Sequence, residues 1–456
     1  MGRSTYERIR AAHLHAVGAA LDDHVDRLDW PAQRIRRHRD QRLRSVLAYA
    51  RERSPWYAER LHGVDVDAAT ASDLTSIPML TKAEAQDQWD AIVTTPDLDR
   101  ERAERVLAEQ TGFSYTRGDH QVFSSGGSSG VRGVYVWDWQ FFVTTACLAW
   151  RMQTRAERRG DAVPQARLAV LTAGGPPHAS TPLFDVPTTA GMDTAVIEAG
   201  APFDEVVAAV EDHAPTHLVG YASVIGRLAR ASLNGDLHIR PRRVSTNSEP
   251  LFPEDRDAIV DAWHAPLHNL WGSTELGVQA VGCGYGPGLH VCEDEVILER
   301  VDATGAPVGP DEPAVRTLAT GLSNRTFPFI RYDLGDEITM MPEPCACGSA
   351  FARVADISGR RDDDFVYGSH TVPASAFRHV LGTDARIVEY QVLQTARGVD
   401  VLAVAGASVR DLVPALVSAM QRYGIRQPSI HIRVVETLGR NQASGKLKRF
   451  VPLEPD

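Results

Sequence analysis

Short apolar runs alternate with amphipathic stretches between residues 166 and 233 of this chain. Residues 167–171 and 217–221 have the length and apolar character of buried strands, whereas residues 203–213 and 223–233 repeat apolar positions at helical spacing. Because parallel strands are joined by crossover connections that are usually helices, this alternation predicts a mainly parallel sheet flanked by helices. We therefore expect an α/β fold.

The regions on either side follow other patterns. The first hundred residues look mainly helical, with apolar positions at helical spacing over residues 41–58. Beyond residue 289 the pattern is β-rich, with strands expected at residues 295–301 and 314–319. Together with the alternating region, these segments predict a large N-terminal domain of mainly parallel sheets with a β-rich subdomain.

A charged junction at residues 358–364 marks the strongest domain boundary. Its glycine is followed by five residues that are all charged, and the segment before it is rich in Pro and Cys. Beyond it we expect strands at residues 387–393, 399–404 and 429–435 and a helix at 409–423. The sequence thus predicts a large domain over residues 1–358 and a small α+β domain, of the size of a lid, over residues 359–456.

A run of seven very small residues follows an apolar segment at residues 121–123. It consists of Ser124, Ser125, Gly126, Gly127, Ser128, Ser129 and Gly130. Consecutive backbone N–H groups beside such small side chains can form an anion-binding concavity, and a polyphosphate would suit it. The run is not a Walker A loop, because no Gly-Lys-Ser/Thr follows the glycines. A flexible Gly/Ser linker is the alternative interpretation.

Composition and charge exclude several classes of protein. No segment approaches the ~18 uninterrupted apolar residues of a membrane span, and the N-terminal residues lack the apolar core of a secretory signal. The net charge of −11 argues against a broad nucleic-acid surface. We expect a cytoplasmic protein that binds neither membrane nor nucleic acid.

The chain is unusual in its basic residues, because only Lys82, Lys446 and Lys448 are lysines among 48 basic side chains. Arginine cannot give up its proton near neutral pH and lysine is a compact point charge, so a retained lysine indicates a chemical need. The arginine bias itself suggests a setting in specialised metabolism.

Four later motifs stand in a fixed order along the chain. They are Asn269-Leu270-Trp271-Gly272-Ser273-Thr274-Glu275, Phe329-Ile330-Arg331-Tyr332-Asp333-Leu334-Gly335-Asp336, Gly359-Arg360-Arg361-Asp362 and Ser444-Gly445-Lys446. With the Gly/Ser run, this order resembles the adenylate-forming superfamily of acyl-CoA synthetases, luciferases and nonribosomal peptide adenylation domains. Residues 54–57, 77–82 and 288–290 make the chain most similar to the phenylacetate–CoA ligase-like branch, which includes proteins of capsular polysaccharide synthesis. The resemblance covers nearly the whole chain.

The resemblance implies a nucleotide site. Residues 124–130 would wrap the β- and γ-phosphates of ATP, with Arg132 or the backbone alone in place of the family's usual lysine. Trp271, where the family usually has tyrosine, could stack on adenine. The remaining assignments are Thr274 at the α-phosphate, Glu275 on Mg²⁺, Asp336 on the ribose hydroxyls, Ser248, Glu249 and Pro250 beside adenine, and Gly272, Ser273 and Arg360 within the nucleotide-binding motifs.

Lys446 is the implied catalytic lysine, with Thr274 and Glu275 as the other catalytic residues. A flexible ammonium between the attacking acid and the departing pyrophosphate would stabilise the negative charge on both. A solvated tail is the alternative. Asp362 would be the hinge about which the small domain swings between the two half-reactions.

Four of the five cysteines cluster late in the sequence, which indicates a metal. Cys283, Cys345 and Cys347 with one histidine would give a Cys₃His set, a common structural zinc arrangement. Cys292 competes with His290 for the fourth position, and His290 is favoured because its Gly-Leu-His context matches the branch. Buried reduced cysteines are the alternative.

The acid substrate is only loosely defined. Tyr221 and Gly174 fall where the family lines its acyl pocket, and an aryl, arylacetic or short acyl acid is expected. The acceptor could be CoA, a carrier-protein phosphopantetheine or an amine. The expected activity is an ATP- and Mg²⁺-dependent carboxylate ligase, with a catalytically silent nucleotide-binding partner as the alternative. We leave a homodimer open.

Overall fold

A computed structural model describes most of the chain. It covers residues 3–453 apart from 111, 113, 117–118, 126–131, 173–177, 180, 185–191, 310–311, 358, 385 and 441–445. In that part of the chain no helix is both long and apolar enough to cross a membrane.

The helices follow the sequence-based expectations closely in the alternating region. They are α1 (Arg3–Asp26), α2 (Ala32–Arg53), α3 (Pro55–Arg60), α4 (Lys82–Asp87), α5 (Trp89–Ile92), α6 (Arg100–Glu109), α7 (Trp139–Ala156), α8 (Phe203–His213), α9 (Ala222–Asn234), α10 (Pro253–Trp263), α11 (Ala374–Leu381) and α12 (Val413–Gln421). The helix expected at residues 203–213 is confirmed at both ends, and the one expected at 223–233 is one residue longer at each end.

Two other helical stretches differ in extent from the spacing in the sequence. The stretch 41–58 is not one helix, because Ser54 is extended (φ −114°, ψ 119°) and separates α2 from α3. A residue before proline is pushed out of the helical region, and the Ser54 hydroxyl caps α3 by accepting a bond from the Tyr57 N–H. The stretch 409–423 instead begins with a 3₁₀ turn at Arg410–Leu412, and α12 ends at Gln421.

In the part of the chain that the structure describes, twenty strands form the sheets. They are β1 (Gln121–Ser125), β2 (Gly133–Trp137), β3 (Arg167–Thr172), β4 (Asp193–Glu198), β5 (His217–Tyr221), β6 (Arg243–Asn247), β7 (Leu267–Ser273), β8 (Gly277–Val281), β9 (Leu289–Val291), β10 (Val296–Val301), β11 (Arg316–Gly321), β12 (Tyr332–Asp333), β13 (Met340–Met341), β14 (Arg353–Val354), β15 (Phe365–Tyr367), β16 (His370–Val372), β17 (Ile387–Thr395), β18 (Gly398–Ala405), β19 (Ser429–Val434) and β20 (Phe450–Val451).

The central sheet has the order β13-β14-β9-β8-β7-β6-β5-β3-β4. The pairs from β4 to β7 are parallel, as the alternation of strands and helices predicts, and the pairs from β7 to β13 are antiparallel. A three-stranded sheet β10-β11-β12 and the β1-β2 hairpin complete the β-rich part. The α/β fold class is confirmed.

The described residues after 364 have an apolar core of their own. A four-stranded sheet in the order β19-β18-β17-β20 packs with α11 and α12 around side chains that include Phe377, Val392 and Leu416, all fully buried. Phe252, just before α10, joins this cluster from the other part of the chain.

A buried ion pair ties α7 to the segment before β10. The Arg151 guanidinium donates to both carboxylate oxygens of Asp294, at 2.7 and 3.0 Å, and these side chains are 1% and 0% exposed. Next to it, Arg27 pairs with Glu295 at 2.9 Å. Bidentate geometry of this kind offsets part of the large cost of burying both charges.

Candidate active site

The carboxyl ends of three neighbouring parallel strands meet at one edge of the central sheet. β5 ends at Tyr221, β6 at Asn247 and β7 at Ser273, and the three strands pair side by side. In open α/β sheets, ligands bind in the crevice outside the carboxyl ends of the strands. The expected site residues around positions 221, 248–250 and 271–275 are therefore brought to one edge by the topology.

The carboxylate of Glu275 lies in the tight connection between β7 and β8. Two phenols donate to its Oε1, Tyr135 at 2.7 Å and Tyr332 at 3.0 Å. Burial and the neighbouring Glu275 charge raise the pKa of both phenols, so they stay protonated donors. A buried, oriented carboxylate offers the oxygen donor that Mg²⁺ prefers, so the residue fits the assignment.

The backbone around Glu275 is held by its neighbours. The Ser273 hydroxyl accepts from Gln279 Nε2 at 2.9 Å and from the Leu276 N–H at 3.2 Å. The Thr274 carbonyl accepts from the Trp137 indole at 2.8 Å. Gly272 pairs with β8 across a register shift. The predicted contact of Thr274 with the α-phosphate stays a prediction.

Asp336 is a buried carboxylate with both oxygens engaged. Trp271 Nε1 donates to its Oδ2 at 3.0 Å and Arg360 Nε donates to its Oδ1 at 2.8 Å. The negative charge of Asp336 raises the pKa of Arg360. These three residues come from distant parts of the chain, and the structure brings them together.

The first residues of the Gly/Ser run end strand β1. Ser124 is buried, and the Ser125 hydroxyl accepts from Lys82 Nζ at 3.4 Å. Tyr135, which binds Glu275, also hydrogen bonds Ser125. The entrance to the run therefore lies close to Glu275. Gly126, Gly127, Ser128, Ser129 and Gly130 lie outside the described residues.

Arg132 does not face this cluster in the described conformation. Its guanidinium pairs with Glu104 at 2.6 Å, and its side chain is 52% exposed. The cation at the start of the run is Lys82, the first residue of α4. Sequence analysis noted Lys82 as one of three lysines and as part of residues 77–82, but it assigned Lys82 no role in the site.

Ser248, Glu249 and Pro250 follow β6 in the order that the sequence motif predicts. Ser248 takes a left-handed conformation (φ 65°), and its hydroxyl donates to Asn247 Oδ1 at 2.8 Å. Glu249 turns toward α9, where the Ser223 N–H donates to its Oε2 at 3.0 Å. Contacts of this segment with adenine stay a prediction.

Lys446 reaches the same edge from the C-terminal part of the chain. Its Nζ lies 5.7 Å from the centroid of the Tyr221 ring, within the range of a cation–π contact. Burial lowers the pKa of Lys446, Glu249 opposes this shift and Arg360 adds to it. Lys446, Tyr221, Glu249 and Arg360 thus share one site.

Two further assigned residues are placed only in part or not at all. Gly174 lies outside the described residues. Asp362 belongs to a short 3₁₀ turn at Arg361–Asp363, and the position of its side chain is outside the description. The hinge role of Asp362 and the pocket role of Gly174 stay predictions.

The predicted metal ligands form a cluster on the far side of β8. One donor atom from each of Cys283, His290, Cys345 and Cys347 lies within 4.8 Å of the others. Cys283 and Cys345 have their sulfur atoms 3.5 Å apart, and Cys347 Sγ lies 3.3 Å from His290 Nε2. Three thiols and an imidazole match the chemistry of a structural zinc site.

The structure separates His290 from its competitor. Cys292 is buried beside Arg151. Burial raises the pKa of its thiol to about 12, and the charge of Arg151 opposes this shift. Cys292 is not part of the four-residue cluster. β9 carries His290 toward the Cys345–Cys347 turn because it pairs with β14, which follows that turn. His290 is therefore the fourth member of the cluster.

The tyrosines that hold Glu275 were missed by sequence analysis. Tyr135 is 140 positions from Glu275 in sequence and Tyr332 is 57 positions away. Tyr332 stood inside a recognised motif, but nothing in the sequence pointed its hydroxyl at Glu275. Tyr135 stood in an apolar run where a core role is the ordinary interpretation.

The chain is similar in sequence to two curated proteins. The chain is 24% identical over 386 residues to the phenylacetate–coenzyme A ligase of Thermus thermophilus, covering 81% of this chain and 80% of that protein. It is 28% identical over 152 residues to the protein CapK of Staphylococcus aureus, covering 33% of this chain and 32% of that one. No family model matches the chain.

Solved structures show the same fold. A 2-hydroxyisobutyryl-CoA ligase in the postadenylation state, in complex with an acyl-AMP, superposes with a TM-score of 0.70 at 16% identity, covering 94% of this chain and 91% of that one. The same ligase in the thioesterification state, with CoA, gives a TM-score of 0.59.

Proposed function

We propose, from the chain's membership of the adenylate-forming superfamily and its phenylacetate–CoA ligase-like branch, that it joins a carboxylic acid to CoA in two steps. In the first step, an oxygen of the acid attacks the α-phosphorus of ATP, and the bond to the β-phosphate oxygen breaks to release pyrophosphate. In the second step, the CoA sulfur attacks the acyl carbon of the adenylate, the thiol proton is lost, and AMP leaves.

The observation that carries the proposal is the position of Lys446. Its ammonium reaches the carboxyl edge of β5 beside Tyr221, although it belongs to the C-terminal part of the chain. We assign Lys446 to the negative charge that develops between the acid and the phosphates, because a point charge on a flexible stem can contact both groups. The partial burial of Lys446 strengthens that interaction by limiting competing water.

The nucleotide would lie between Asp336 and the Gly/Ser run. Asp336, oriented by Trp271 and Arg360, presents a fixed carboxylate to the ribose hydroxyls. Lys82 and Ser125 stand at the other end, where the phosphates would lie. Glu275 would hold Mg²⁺, which would supply positive charge against the phosphate oxygens.

In this proposal residues 359–456 form the small domain, and this domain carries Lys446 to the site. The zinc site is assigned a structural role, because its four ligands link β8, β9 and the Cys345–Cys347 turn away from the sheet edge. The proposed substrate is an aryl, arylacetic or short acyl acid. Tyr221 stands beside Lys446 and would border the reacting carboxylate.

Product analysis tests the proposal. The chain is incubated with ATP, Mg²⁺ and CoA and a panel of aryl, arylacetic and short acyl acids, and products are read by mass spectrometry. Acid-dependent AMP and an acyl-CoA are expected. Omitting CoA and adding amines or phosphopantetheinylated carrier proteins tests the other acceptors. Acyl transfer only to an amine or carrier would contradict the CoA assignment, and the absence of AMP with every acid would contradict the ligase.

A further inference from the structure

The carboxylate of Glu249 bridges two distant parts of the chain. Its Oε2 accepts a hydrogen bond from the backbone N–H of Ser223, at 3.0 Å, in the first turn of α9. Its Oε1 accepts one from the backbone N–H of Leu447, at 3.1 Å. Leu447 directly follows Lys446, so one side chain fastens the backbone of the lysine to the large sheet.

A second contact fastens Arg440, six positions before Lys446, to the same serine. Arg440 Nη1 donates to the Ser223 hydroxyl at 3.2 Å, and the same guanidinium pairs with Glu389 of β17, whose side chain is 3% exposed. Ser223 therefore receives contacts from both sides of the lysine, directly from Arg440 and through Glu249 from Leu447. Through these contacts Ser223 of α9 holds the C-terminal part of the chain on either side of Lys446.

Energetic considerations favour a role for these contacts in aligning the ammonium of Lys446. A lysine side chain has several rotatable bonds, so the position of its ammonium depends on how firmly its backbone is held. Hydrogen bonds from backbone N–H groups to a carboxylate are charge-assisted and stronger than neutral ones. A shift of about 1 Å at a catalytic group can reduce the rate by about 100-fold.

We propose that Glu249 is a positioning residue for Lys446 in the adenylation half-reaction. It acts as a two-oxygen clamp between Ser223 and Leu447, and it does not itself contact the reacting atoms. The proposal rests on the proposed function for the role of Lys446, but the clamp itself can be tested without any substrate. Because the proposed role of Lys446 is confined to adenylation, we expect thioester formation from a supplied acyl-AMP to proceed without the clamp.

Glu249→Gln is the sharpest variant. Glutamine keeps the shape of the side chain but has only one carbonyl oxygen, so its NH₂ group would meet one of the two backbone N–H donors. The variant therefore loses one of the two hydrogen bonds, and its amide NH₂ faces the backbone N–H of either Ser223 or Leu447. Glu254→Gln is the matched control, because Glu254 also binds the C-terminal part through Arg449, at 3.1 Å, while Asp255 keeps hold of Arg449 at 3.2 Å.

The clamp can be read by proteolysis with a lysine-specific protease. The chain has three lysines, so cleavage under native conditions is confined to Lys82, Lys446 and Lys448. Cleavage after Lys446 releases residues 447–456, and cleavage after Lys82 serves as an internal standard in the same sample. We expect Glu249→Gln to accelerate cleavage after Lys446 about fivefold to tenfold, in line with the loss of one charge-assisted bond. Equal rates in wild type and both variants would overturn the clamp.

The half-reactions test the positioning role. With an acid that supports exchange in the wild type, Glu249→Gln is expected to lower kcat for ATP–pyrophosphate exchange by about 10- to 100-fold. The KM for ATP and the rate of thioester formation from supplied acyl-AMP should stay within about twofold. Glu254→Gln should exchange at a rate close to wild type.

Each outcome separates the clamp from the proposed function. A raised KM for ATP with unchanged kcat would overturn the positioning role and place Glu249 in nucleotide binding. Equal loss in both half-reactions would also overturn it, because the effect would then be structural. A wild type that shows no exchange with any acid would contradict the ligase, while the proteolysis result would still decide whether Glu249 holds the segment of Lys446.

Discussion

The indole Nε1 of Trp271 donates a 3.0 Å hydrogen bond to the Oδ2 of Asp336. Arg360 holds the other oxygen of the same carboxylate from the charged junction. The residue assigned to adenine and the residue assigned to the ribose are thus one hydrogen-bonded unit. The indole thus uses its edge for Asp336 and packs within the large apolar core, and the stacking of its face on adenine stays a prediction.

Trp271→Phe keeps an aromatic face but removes the donor to Asp336. A charge-assisted hydrogen bond contributes about 1.5–3 kcal/mol, so we expect the Kd for ATP to rise about 10-fold or more. Calorimetric titration with ATP and Mg²⁺ measures this. Trp271→Tyr, which restores a hydroxyl, serves as the comparison and should lose less. Unchanged ATP affinity in Trp271→Phe would show that Asp336 does not depend on the indole.

The lowered pKa of Lys446 has a consequence for the pH profile. The ammonium is the active form, and burial lowers the pKa of Lys446, so adenylation should fall on the basic side at a lower pH than an ordinary lysine would allow. Lys446→Arg keeps its proton throughout this range, so its residual activity should lack the basic limb. Exchange rates between pH 7 and 10.5 test this, and identical limbs in the two proteins would contradict the assignment.

The four-residue metal cluster predicts about one equivalent of zinc in freshly prepared protein. Structural zinc sites contribute directly to folding, so a chelator should lower the thermal midpoint and added Zn²⁺ should restore it. Cys345→Ser should reduce the zinc content, whereas Cys292→Ser should leave it unchanged because Cys292 lies beside Arg151. Metal analysis decides, and a full zinc content in Cys345→Ser would contradict the site.

The buried pair of Arg151 and Asp294 predicts a large stability effect. Arg151→Met leaves the Asp294 charge buried without its bidentate partner, and breaking such a pair costs about 3–5 kcal/mol. The double variant Arg151→Met, Asp294→Leu should recover most of that loss, because no uncompensated charge remains. Urea unfolding of the two variants measures the difference. A single variant as stable as wild type would contradict the role of the pair.

Local signals predicted the parallel part of the fold well. Strand β5 and helix α8 match their expected bounds, because their apolar periodicity is long and flanked by turns. Apolar spacing alone does not divide residues 41–58, and the boundary between α2 and α3 is set by Ser54 and Pro55. A helix end that depends on the backbone conformation of a single residue, such as Ser54, is the feature that is hardest to predict from sequence.

The site was predicted in part. Motif order identified Trp271, Glu275, Asp336 and Lys446, and the structure brings each of them to the sheet edge or its surroundings. The supporting residues were not predictable, because their partners are far apart in sequence. Tyr135 and Lys82 reach the site through β2 and α4, and neither residue carries a local signal for Glu275 or Ser125.

Acid-dependent ATP–pyrophosphate exchange tests the central claim most directly. The wild type and Lys446→Ala are compared across aryl, arylacetic and short acyl acids, with Lys448→Ala as the matched control because Lys448 is an exposed lysine two residues away. The account predicts exchange with at least one acid in the wild type and in Lys448→Ala, and a loss of about 100-fold or more in Lys446→Ala. Full exchange in Lys446→Ala would contradict it.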